Sequence, residues 1–213
     1  MKQFAQRTFL YLLLLTLSVS NVNCQSTNKG RFYKGEIDTK MPIESKYKEM
    51  GCEQVAKVEF HSDNPKIEKI VAVYPLSMTK SIKALPLVNI GNASNTTAYD
   101  LLDVMEHLAS WGYVVIGNMD KQTGTGLSIS NIISPEAAFQ ANFDETTGAF
   151  PVLAARNTKK DHEEMGGEGD PYMTAWLSYF LQGDSAAGKA FMGANAEILK
   201  NSERWSDIKR KKL

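Results

Sequence analysis

Three histidines, His61, His107 and His162, are the side chains of this chain best suited to move a proton near neutral pH. His162 stands in "KKDHEEMGGEGDPYMTAWLSYFLQGD", between charged residues and a glycine-rich turn, just ahead of a helical pattern. By its neighbours Asp161, Glu163 and Glu164 it reads as a solvated loop histidine, and as a general base it would need a nucleophile to serve. His61 falls in a turn and His107 on the polar side of a predicted helix, so the three are too dispersed for a metal site. The two cysteines, Cys24 and Cys52, exclude a zinc site built on cysteine. Cys52 has no histidine or basic cluster beside it and reads as a packed thiol rather than a nucleophile. "TGTG" lacks the following lysine and helix start of a phosphate loop. Trp111 and Trp176 lie at helical positions and read as core rather than as a platform for substrate.

The elements that must position these residues are legible in part. "EQVAKVEFHS" and "IEKIVAVYPL", separated by the turn residues "HSDNP", predict an antiparallel hairpin. "LPLVNIG" and "GYVVIGNM" are nearly continuous apolar runs, as expected of strands buried on both faces. Between them Leu101, Val104, Met105 and Leu108 follow helical spacing, and Gly112 supplies a stop. Strand, helix, strand in this order is a βαβ unit. "FPVLAAR" reads as a last strand. In the helix that follows, Asp170 is placed to cap, Pro171 to fill the first turn, and Tyr172, Ala175, Trp176, Tyr179 and Phe180 to form an apolar face. Asp184 caps a further helical stretch, "AEILKN" continues it, and "KRKKL" reads as a solvated basic end.

Composition narrows the class. A hydrophobic content of 43% lets 213 residues bury a core, and a formal net charge of zero gives no electrostatic case for nucleic acid as a partner. "MKQFAQR", the apolar "TFLYLLLLTLSV" and the small residues of "SVSNVNCQS" predict a secretory signal peptide over 1–24, with cleavage after Ser20 or after Cys24. The apolar run is too short for a stable membrane span, and a lipoprotein or a retained anchor is the lesser alternative. Cleavage after Cys24 would leave Cys52 alone and exclude a disulfide framework. Residues 25–213 then form a single secreted domain. Asn92 and Asn95 begin sequons, which a glycan would turn into an obstruction of the neighbouring loop.

The string "LPLVNIGNAS…YDLLDVMEHLASWGYVVIGNMDKQTGTG", with "DHEEMG…YMTAWLSYFLQGDSAAGKAF" as its companion, resembles the secreted α/β-hydrolases related to polyester hydrolases, chlorophyllases and dienelactone hydrolases. The resemblance covers most of the chain outside the leader. It implies an α/β fold with a mostly parallel sheet, an N-terminal antiparallel hairpin and helices on both faces. It further implies ester hydrolysis through a serine, without a cofactor. By this resemblance His162 matches the general base, and Asn92 and Ala93 match the loop that offers backbone N–H groups to the oxyanion.

The departure lies at the nucleophile. The family carries G-x-S-x-G, a tight strand-to-helix elbow. This chain has only "GLSIS", which makes Ser128 a weak candidate and lacks the second glycine that lets the elbow turn. From Asn131 to Ala149 there are about twenty residues, whereas a βαβ unit needs about thirty. The family's nucleophile strand and acid-bearing loop fall in that interval; Asp144 and Asp161 do not match the acid position. Removal of that block predicts a truncated, narrow sheet in which "FPVLAAR" pairs directly with "LPLVNIG". Three functional expectations follow: an α/β-hydrolase family protein without a complete triad, a secreted protein binding a small ester, a hydrophobic ligand or a partner protein without catalysis, or an inactive product of internal deletion.

Overall fold

The computed structural model of the protein describes residues 37–61, 69–80, 84–92, 95–119, 121, 151–158, 160 and 165–213. The leader, the interval from 131 to 149 and the loop around His162 lie outside the described residues.

The hairpin expected from period-two alternation is present. Strands β1 (Val55–His61) and β2 (Lys69–Pro75) pair antiparallel, with Val55 opposite Pro75 and His61 opposite Lys69. The βαβ unit follows: β3 (Leu87–Ile90), a 3-10 turn (Ala98–Leu101), helix α2 (Leu102–Ser110) and β4 (Val114–Asn118). A short helix α1 (Pro42–Tyr47) precedes them all. Strand β4 lies between β2 and β3, giving the order β1-β2-β4-β3. It runs parallel to β3 and antiparallel to β2.

The four-stranded sheet is therefore mixed, with one parallel pair, and the expectation of a mostly parallel sheet is corrected. The apolar runs misled because β3 has only four residues, too few to reveal an alternation. It is an edge strand among the described residues, and Leu87 is 61% exposed. Helix α2 covers one face, packing Met105, Leu108 and Ala109 on Val71, Val73 and Val115. Gly117 lets it settle there, since a Cβ on that residue would come within 2.9 Å of the Ala98 Cβ. Gly112 ends α2 at φ +94°, a conformation costly for any other residue. On the opposite face Val58 and Phe60 remain exposed, so the expected helical cover there is not among the described elements.

A second unit completes the molecule. Strands β5 (Val152–Asn157) and β6 (Trp205–Lys211) form a separate antiparallel ribbon. Two expectations are thereby overturned. "FPVLAAR" pairs with β6 and not with "LPLVNIG", and most of "KRKKL" belongs to a strand rather than a solvated tail. The lysines hid an alternation in which Ile208 turns toward the core beside Leu153 and Ala155. The ribbon packs on α4 (Asp170–Gln182), which follows the short α3 (Met165–Glu168) and is followed by α5 (Ser185–Gly188). Gly183, at φ +75°, ends α4, and Asp184 caps α5 through the Ala186 and Ala187 N–H groups, as its position predicts. The tail "AEILKN" contains a 3-10 turn, Glu197–Lys200. Trp111 packs against both hydrophobic clusters and meets the Tyr47 ring at 4.6 Å, joining the two units.

Candidate functional site

The loops at the carboxyl ends of β3 and β4 are where this topology would gather reacting groups. Asn92 stands just past β3 and is buried. Its Nδ2 donates to the Thr96 carbonyl at 2.5 Å, which folds the loop back on itself. The Asn95 N–H donates to the Lys121 carbonyl at 2.8 Å, tying this loop to the one after β4. Asn95 does so at φ +69°, a left-handed position that asparagine tolerates. Thr97 and Asp100 then close a capping box at the turn into α2. The Thr97 N–H and hydroxyl hold the Asp100 carboxyl below its ordinary range. Since the Asn92 amide is spent on the loop, stabilisation of an oxyanion would fall to backbone N–H groups. Ala93, Ser128 and His162 lie outside the described residues.

The structure assembles a different acid–histidine pair. His107 and Asp170 meet at 2.7 Å between Nδ1 and Oδ2, with their side chains 0% and 1% exposed. Thr174 Oγ1 donates to Asp170 Oδ1 at 3.0 Å and lies 3.4 Å from His107 Nδ1. This grouping has the residue types of a hydrolytic triad, buried between α2 and α4. The other ring nitrogen, Nε2, is 2.8 Å from the Glu49 carbonyl, which also accepts from Trp111 Nε1 at 3.0 Å. The Trp111 Nε1–H also points to His107 Nε2 at 3.3 Å. Both imidazole nitrogens thus have protein partners, and full burial keeps the ring from a nucleophile. Burial is the largest single influence and opposes the charge. The hydrogen bond and charge of Asp170, with the Glu49 carbonyl, outweigh it and hold the His107 pKa above its ordinary 6.5. The pair ties α2, α4 and the segment before β1 together.

Two expectations are corrected here. His107 is fully buried rather than set on a polar face. Asp170 is the first residue of α4 and spends its carboxylate on His107 and Thr174, while Gly169 occupies the cap position. The spacing Val104, His107, Trp111 on one helical stripe was the available signal.

A second buried network had no signature in the sequence. Glu44 accepts from Asn201 Nδ2 at 2.7 Å, Arg204 Nε at 3.0 Å and Trp205 Nε1 at 3.0 Å. Arg204 also reaches Glu168, with Nη1 3.0 Å from Oε2. Glu197 accepts the Ile43 and Glu44 N–H groups at 2.7 and 2.9 Å, capping α1 from 153 residues away in the chain. These satisfied charges fix the C-terminal segment to α1 and α4.

Cys52 is disulfide-bonded, which corrects its reading as a packed thiol. The sequence offers Cys24 as the other cysteine. Among the described residues no group of three histidine, cysteine, aspartate or glutamate side chains is set to hold a metal ion. No described helix is long and apolar enough to cross a membrane. No family model and no curated protein matches the chain.

Proposed function

We propose that the protein descends from secreted serine carboxylic-ester hydrolases of the α/β-hydrolase type and no longer hydrolyses esters. The observation that carries this reading is that β3 is an edge strand among the described residues. The hairpin feeds a right-placed βαβ crossover, Asn92 follows β3, and no described strand pairs along its outer side. The resembled family sets its nucleophile strand at that edge. The sequence lacks the elbow motif such a strand would deliver, and its 131–149 interval is too short for the missing block. The one buried acid–histidine pair among the described side chains is committed to packing, so it offers no substitute base. A disulfide at Cys52 fits an oxidising, secretory destination.

The test is hydrolysis of p-nitrophenyl butyrate by the purified chain beside His162→Ala and Ser128→Ala. The reading expects the same background rate from all three. A saturable rate abolished by both substitutions would sink it.

A further inference from the structure

We propose that a cavity between the β5–β6 ribbon and α4 binds a small, uncharged aromatic molecule of about two fused or linked rings. The cavity is a pocket of about 310 Å³ open to solvent, and Leu153, Ala155, Tyr172, Trp176, Ile198 and Trp205 form most of its wall. No lining residue carries a formal charge. The polar atoms of two of its aromatic residues are already engaged elsewhere. The Tyr172 hydroxyl donates to Glu197 at 3.2 Å and accepts from Asn201 at 3.2 Å, and Trp205 Nε1 donates to Glu44 at 3.0 Å. These rings therefore offer carbon surface rather than hydrogen bonds, which excludes a charged or strongly polar ligand on desolvation grounds.

The wall is set before any ligand arrives. Tyr172 and Trp205 stand edge to face at 5.8 Å, locked by the buried Glu44 network, so binding need not order them. Volume bounds the ligand size: an apolar cavity of about 150 Å³ takes up benzene, and this open pocket is about twice as large. A flat aromatic also suits the edges and faces of three aromatic side chains better than a branched aliphatic of equal volume. None of the lining residues belongs to the loops after β3 or β4, so the site is separate from the oxyanion loop and stands whether or not any hydrolysis remains.

The neutral fluorophore N-phenyl-1-naphthylamine provides a direct test, because Trp176 and Trp205 in the wall transfer energy to it. Titration of the purified chain should give saturable, one-to-one transfer. Ala155→Leu, which lengthens a side chain of the wall, should weaken binding at least tenfold while preserving the circular dichroism spectrum. Phe60→Ser, on the exposed face of the four-stranded sheet, should leave binding within twofold. If Ala155→Leu does not fold, Met173→Phe, which narrows the same cavity from α4, decides by the same criterion. Absence of saturation, or wild-type affinity in a folded cavity-narrowing variant, would overturn the proposal. So would loss of binding in Phe60→Ser, which would assign the probe to the sheet face instead.

Discussion

His107 shows how a reactive residue type becomes a structural one. Its ring is fully buried, with Asp170 at one nitrogen and the Glu49 carbonyl and Trp111 N–H at the other. A pKa raised in the folded state adds stability that is complete below the ordinary 6.5 and fades as pH rises through the higher folded value. The melting midpoint should therefore fall across that window, and His107→Gln should flatten the fall. Equal pH dependence in the two proteins would contradict this pairing. Removing only the carboxylate leaves the imidazolium buried without its partner; Asp170→Asn should cost about 3 kcal/mol in urea unfolding. Little of this was legible in the sequence. Helical periodicity set His107 on the polar side of α2 and could not reveal Asp170, which lies 63 positions away and looks like a cap. His162, by contrast, drew its base role from the family resemblance and lies outside the described residues.

At the scale of elements, local signals were read well and distant ones were not. Turn residues, helical spacing and the stop at Gly112 sufficed for the hairpin and the βαβ unit. The cap at Asp184 was also local, and it does more than cap: its carboxylate accepts from the Tyr47 hydroxyl at 2.6 Å. Asp184→Ala should cost about 1–2 kcal/mol, measured by chemical denaturation, through loss of the cap and of that bond. Helix α1 was missed because what stabilises it is distant in sequence. It has six residues, too few to persist alone, and its exposed N–H groups are satisfied by Glu197. Glu197→Ala should destabilise the chain by about 1–3 kcal/mol and expose the α1 amides to hydrogen exchange ahead of those of α4. Strand β6 was missed for a related reason: lysine and arginine mask a period of two when the partner strand is unknown.

For the whole molecule, the described residues form a four-stranded mixed sheet and a separate two-stranded ribbon, joined by α4, Trp111 and buried charge. The expected pairing of "FPVLAAR" with "LPLVNIG" failed because strand pairing depends on which partners are near in space, and β6 was not recognised as a strand. The disulfide at Cys52 adds a covalent tie, and Cys52→Ser should lower stability by about 2–4 kcal/mol in non-reducing denaturation. The central claim is that no serine in this chain is activated as a nucleophile. Intact-mass measurement after treatment with a fluorophosphonate probe tests it most directly. The account predicts an unmodified mass; a single adduct on Ser128 that disappears in His162→Ala would contradict it.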